Sequence, residues 1–199
     1  VVRLANGELP APGLMLWGGP GAGKTHLLHA AIEAARRRRP VFLCARPSDT
    51  PGDPDSLPPA TLLAIDDLHR ADSAAQGRLF SLVNALAISG GQWIGAATVP
   101  PARLDLREDL RTRFALGLVL EVHALTDAEK PSALAVYAKE RGFRLSDEVI
   151  AYLLAHARRD MPSLVAALAA LDRQSLARRR PISVALVREW LQRQPGSTT

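Results

Sequence analysis

Leu14-Met15-Leu16-Trp17-Gly18-Gly19-Pro20-Gly21-Ala22-Gly23-Lys24-Thr25 decides how the rest of the chain is read. From Gly18 onward it fits G-x-x-x-x-G-K-[ST] in full. A short apolar run that reads as a buried strand precedes it, and residues at helical spacing (Leu27, Leu28, Ala31, Ile32, Ala35) follow. Glycines let the backbone turn tightly with several N–H groups pointing inward, which suits a phosphate. A helix starting near Lys24 adds the positive end of its dipole. The expected cofactor is ATP or ADP with Mg²⁺. Lys24 is expected to reach the β/γ-phosphates and the Thr25 hydroxyl to ligate Mg²⁺. Gly18, Gly19, Pro20, Gly21, Ala22, Gly23, Lys24, Thr25 and His26 form the expected nucleotide-binding set.

A second anchor is Leu62-Leu63-Ala64-Ile65-Asp66-Asp67, four apolar residues ending in two carboxylates. It reads as a buried parallel strand whose C-terminal end presents acid beside the phosphates. Asp66 is the expected second Mg²⁺ ligand, and Asp67 the group that orients or deprotonates an attacking water. Thr98 closes a further apolar run, Gln92–Thr98, where a polar residue can touch the γ-phosphate or that water.

The other elements follow in order. Residues 1–13 read as an approach loop, and the helix after Lys24 is expected to run to about Arg38, stopped by Pro40. Arg36–Arg39 reads as a solvated helix end. Val41–Cys44 is a second strand with a buried cysteine, and residues 46–59, with five prolines, read as irregular surface loop. A helix spans Ser73–Ser89, another runs from Arg107 to Phe114, and Gly117–Val122 is a fifth strand. Strands alternating with helices predict an α/β domain over residues 1–122, a parallel five-stranded sheet with helices on both faces. After His123 come helices only, at about 127–141, 146–158, 161–178 and 183–193, so residues 123–199 read as a small all-helical lid domain.

The 199 residues carry a net charge of +5. Residues 1–122 hold 13 basic and 12 acidic side chains, and residues 123–199 hold 12 and 8. That mild excess suits contact with nucleic acid or an acidic partner but forms no continuous basic stripe, and sequence-specific DNA binding is not expected. A single cysteine excludes an internal disulfide, and no apolar run approaches a membrane span, which predicts a cytoplasmic protein without a membrane partner. His26, His29 and His69 lack the spacing and partners of a metal site.

Taken together, Gly18 through Ala30 with its His-Leu-Leu-His-Ala tail, Ile65-Asp66-Asp67, and Arg111-Thr112-Arg113-Phe114 resemble the AAA+ ATPases of the bacterial replication-initiator clade, the DnaA-like proteins. Thr126-Asp127 with Glu129-Lys130, Arg141-Gly142-Phe143 and Leu171-Asp172-Arg173-Gln174-Ser175-Leu176 resemble the regulatory-inactivator (Hda-like) branch of that clade. The resemblance covers about residues 12–193. It implies a regulator that holds nucleotide, binds the initiator DnaA, and drives hydrolysis of the initiator's ATP through Arg113 as an arginine finger in trans. Replication initiation is thereby restrained. It also implies a DNA-loaded sliding clamp as platform; the sequence leaves the oligomeric state open, with a homo-oligomer among the alternatives.

The resemblance has departures. A C-terminal DNA-binding domain is not expected after the lid, as in the regulators. The clamp-binding peptide of the Gln-x-x-Leu type has no match before Leu14, and the chain opens on Val1-Val2, so its natural N-terminus is expected to be missing. Gln76-Gly77-Arg78-Leu79-Phe80 has the right letters but lies inside a predicted helix. The family's sensor-2 arginine falls at Pro162, with Arg158 or Arg159 as the available substitutes, so the chain's own hydrolysis is expected to be weak. Two other readings compete: a self-contained AAA+ ATPase or helicase loader acting on nucleic acid, and a small-molecule kinase. The first would turn over ATP alone. The second would want clustered basic residues between its strands, and the helical tail fits it poorly.

Overall fold

The computed structural model describes residues 2–193. Its contacts divide the chain between Ala124 and Leu125 into two compact units.

The first unit is built on β1 (Gly13–Trp17), β2 (Val41–Cys44), β3 (Leu62–Ile65), β4 (Gln92–Ala97) and β5 (Leu118–Glu121). All pairings are parallel, in the order β2-β3-β4-β1-β5. Side chains alternate along a strand, so each strand feeds both faces. Leu14 and Leu16, Leu62 and Ala64, and Ile94 and Ala96 turn to one face. There they pack with α1 (Val2–Ala5) and α2 (Lys24–Ala35) through Leu4, Leu28 and Ile32. Met15, Leu63, Ile65 and Trp93 turn to the other. They pack with α3 (Ser73–Ser89) and α4 (Glu108–Ala115) through Leu79, Leu82, Leu110 and Phe114. The Phe114 ring meets Trp93 edge to face at 4.9 Å, fixing α4 against β4.

The second unit is all helical: α5 (Lys130–Glu140), α6 (Asp147–His156), α7 (Met161–Arg178) and α8 (Val184–Gln192), around Leu134, Leu153, Leu164, Leu168, Leu171 and Val187. Ser146, Asp160 and Ser183 cap α6, α7 and α8 by accepting from Val149, Ser163 and Leu186 N–H groups. Pro162 sits in the first turn of α7, where its fixed φ suits the helix and its missing N–H costs nothing.

Four boundaries correct the sequence reading. The approach loop contains a one-turn helix, because Leu4 and Ala5 bury against α2. The helix after the glycine loop ends at Ala35, short of Arg38. Its arginine run is not solvated throughout: Arg39 turns inward, donating to Leu4 O and, over 3.1 Å, to Gln92 Oε1. Burial lowers its pKa, since a guanidinium drawn out of water holds its proton less tightly. The loop over 46–59 includes 3₁₀ turns at Pro47–Asp49 and Pro54–Ser56. The first lid helix begins at Lys130, because Glu129 accepts from the Thr126 N–H and hydroxyl and holds 126–129 as a separate turn.

Candidate functional site

The parallel sheet brings the ends of β1, β3 and β4 to one edge. β4 lies between β1 and β3 in register, with Trp17 opposite Ala97 and Ile65 opposite Gly95. Gly18, Asp66 and Thr98 each follow directly at that edge. Gly18 N–H continues the ladder to Ala97 O at 3.2 Å, which brings the start of the glycine loop beside Thr98.

Three glycines in the loop are required by their geometry, among them Gly21 with φ +74. A Cβ on Gly18 would lie 2.2 Å from Val122 O, and Gly23 has φ +97, a left-handed value that side chains disfavour. Gly19, Gly21 and Gly23 are exposed, with nothing within 4 Å of where a Cβ would stand. Gly19, Pro20 and Gly21 are exposed and Ala22 is buried, pinning the loop from beneath. Lys24 Nζ folds back over it, donating to Gly18 O and Gly19 O at 2.8 Å each. An ammonium held above a ring of backbone groups suits a polyphosphate, for which those two carbonyls are substitute acceptors.

Thr25 Oγ1 donates to Asp66 Oδ2 at 2.7 Å. Asp66 Oδ1 accepts from the Asp67 N–H at 2.8 Å. A hydroxyl and a carboxylate oxygen in direct contact are the oxygen donors that one hard cation can share. Asp67 itself has left-handed backbone, φ +51, and its carboxylate faces Arg70 at 3.4 Å. The two neighbouring aspartates therefore part: Asp66 turns to Thr25, and Asp67 to the following turn. Thr98 is half-buried, and among the described residues no side-chain hydrogen bond joins it or the Asp67 carboxylate to the Thr25–Asp66 pair. His26 is exposed on the first turn of α2, beside the loop in sequence.

Arg113 lies elsewhere. It is exposed on α4, between the buried Leu110 and Phe114. α4 leads into β5, whose first residue Leu118 pairs with Leu14, whereas Gly18 follows Trp17, paired with Glu121. Arg113 therefore belongs to the end of the sheet opposite the glycine loop. Among the described residues its guanidinium has no hydrogen bond or ion pair, and the nearby Asp109 is taken by Arg107 at 2.6 Å. Gln76, which sequence reading treated only as part of a peptide-like decoy, supports this helix. It is buried, and its carboxamide donates to Ala71 O and Asp105 O and accepts from Arg107 N–H at 2.8 Å.

In the helical unit Arg158 pairs with Asp160 at 3.2 Å and Arg159 with Asp127 at 3.7 Å. The Lys130 ammonium, donating to Asp127 and assisted by Arg159, lowers the Asp127 pKa. Among the described residues, no helix is long and apolar enough to cross a membrane.

Comparison with known proteins adds to this geometry. The family model described as the Hda lid domain matches residues 127–191. An uncharacterized Haemophilus influenzae protein is 30% identical over 198 residues, with 96% of this chain and 86% of that protein covered. Domain III of the Thermotoga maritima replication initiation protein DnaA has a similar fold, with a TM-score of 0.79 at 19% identity over 96% of this chain and 88% of that one. A replication initiator DnaA solved with AMPPCP and single-stranded DNA gives 0.67 at 25% identity, covering 89% of this chain and 61% of that one. The chain has the DnaA-like AAA+ fold, and its residues 127–191 belong to the Hda lid domain family.

Proposed function

We propose that this chain is a regulatory AAA+ protein that holds an adenine nucleotide and promotes hydrolysis of ATP bound to the initiator DnaA. The observation that carries the reading is the position of Arg113: exposed, without a partner among the described residues, and at the far end of the sheet from its own glycine loop. An arginine so placed suits a neighbour's nucleotide. The Hda-type lid supports that neighbour being an initiator. The solved relatives carrying AMPPCP support ATP or ADP as the resident ligand.

In this reading the loop N–H groups and Lys24 bind the phosphates, and Thr25 and Asp66 hold Mg²⁺, which neutralises phosphate charge. Thr98, at the end of β4, is assigned to orient the attacking water, and Asp67 shares that role when its carboxylate leaves Arg70. Regulation acts through Arg113, whose planar fork stabilises charge on the partner's transferred phosphoryl group. The protein works in the cytoplasm, against initiator assembled near a sliding clamp, and lowers the frequency of initiation.

The test is a mixing experiment. Purified initiator loaded with labelled ATP is followed to ADP alone and with this protein, beside the steady-state ATPase of this protein alone. The expected result is slow conversion alone, faster conversion in the mixture, and negligible turnover without initiator. Robust turnover by this protein alone, with no effect on the initiator, would overturn the proposal in favour of a self-contained ATPase.

A further inference from the structure

The positive charge of this chain is concentrated in one place. Between Asp172 and Arg193 six arginines face two carboxylates, a net +4 out of the chain's +5. The folded helical unit gathers four of them, Arg178, Arg180, Arg188 and Arg193, around α8. On one flank Arg178, from the end of α7, pairs with Glu189 at 2.7 Å, and Arg193 reaches the same carboxylate at 4.0 Å. Arg178, with Arg193 and Arg180 behind it, holds the Glu189 pKa below its usual range, so this one anion is shared among three cations. On the other flank Arg188 lies over the Tyr152 ring at 5.7 Å, and Tyr152 stacks on His156 at 4.1 Å. Arg173, Arg178, Arg179, Arg180, Arg188 and Arg193 are all exposed.

The helix dipole accounts for part of this, since cations favour a helix C-terminus, but that effect is confined to the last turn. It does not account for Arg188. It favours a cation at Arg179, the C-terminal cap of α7, but does not explain a side chain in left-handed backbone there, φ +51. Arg180 N–H returns to Ser175 O and Arg179 N–H to Leu176 O, a capping geometry that glycine satisfies with least strain. A guanidinium stands there instead, exposed and, among the described residues, without an anion of its own.

We infer that the α7–α8 end of the helical unit binds the phosphate backbone of nucleic acid without reading its sequence. Arginine forks match phosphate oxygens in pairs, and the set offers several such forks around a single shared carboxylate. This inference does not rest on the role given to Arg113, because it concerns a different unit and needs no initiator.

The experiment is fluorescence anisotropy of the full chain with a labelled 30-nucleotide duplex of mixed sequence, with ADP and Mg²⁺ saturating, from 50 to 200 mM NaCl. If about four phosphates are neutralised, log affinity should fall with log salt at a slope of roughly −3 to −4. A scrambled duplex should bind equally well. Arg179→Gly should flatten the slope by about one unit without lowering the melting temperature, because glycine suits that cap. Arg179→Gly with Arg180→Gln should flatten it by about two. The inference is overturned if no salt-dependent binding is seen at 50 mM, or if the double variant binds with an unchanged slope. It is also overturned if polyglutamate of matched charge competes as well as DNA, which would make the patch a dock for an acidic protein.

Discussion

Gln76 Oε1 accepts from the Arg107 N–H over 2.8 Å, tying the first turn of α3 to the residue that begins α4. The Gln76 amide nitrogen donates to Ala71 O and Asp105 O, so one buried side chain makes three bonds to backbone. Gln76→Leu keeps approximate volume and leaves all three backbone groups without that partner. It should cost about 1–3 kcal/mol, the penalty for stranding buried polar groups. Urea unfolding gives the value. A midpoint equal to wild type would mean that α4 is held by Leu110 and Phe114 alone.

Thr25 and Asp66, joined at 2.7 Å, should act together on Mg²⁺. Asp66→Asn should remove the Mg²⁺-dependent gain in ADP affinity and leave Mg²⁺-free affinity close to wild type. Lys24→Ala should abolish binding under both conditions, because it removes the cation over the loop. Titration with a fluorescent ADP analogue, with and without Mg²⁺, separates the two. Equal wild-type affinities in both buffers would sink the metal role.

Cys44 gives a pH dependence of known sign. Burial is the main reason its thiol pKa rises from 9.0 to about 11, because a thiolate in the core lacks solvation. The neutral thiol therefore favours the folded state fully below pH 9, and that contribution disappears as the pH rises through 11. Two units correspond to about 2–3 kcal/mol. Urea midpoints from pH 8 to 11 should fall more steeply for wild type than for Cys44→Ala. Parallel curves would show that the thiol reaches solvent without unfolding.

The legibility of this chain in its sequence follows from the range of the interactions. The glycine loop and the strands Leu14–Trp17 and Leu62–Ile65 are specified by residues adjacent in sequence, and the crossover rule for parallel strands brings their ends together. Arg39 is the counterexample. Four consecutive arginines look alike locally, and only the fold turns one of them onto Leu4 and Gln92, 35 and 53 residues away. Gln76 hides for the same reason, with partners 29 and 31 residues downstream. The Val2–Ala5 helix is too short to show a period. The separation of Asp66 from Asp67 depends on a single left-handed residue, which a run of letters does not reveal.

Arg113 carries the most specific expectation. Its helix is anchored at both ends, by Gln76 at Arg107 and by Phe114 against Trp93, so the guanidinium projects from a rigid base. No acidic residue among those described competes for it, and it lies away from Lys24 and Thr25. Arg113→Ala should therefore leave ADP affinity and melting temperature unchanged, while the stimulated conversion of initiator-bound ATP falls toward the initiator's own rate. Arginine fingers are worth roughly 10³–10⁵ in kcat, so the loss should consume most of the stimulation. Arg113→Lys should rescue little, because an ammonium is a point charge and cannot make the planar, paired contact. The measurement is initiator-bound ATP turned to ADP in a single turnover, with each variant at equal concentration and its binding to the initiator checked separately. Full stimulation by Arg113→Ala would make Arg113 a surface cation and remove the trans-acting mechanism. Equal rescue by lysine would keep the charge but reject the fork.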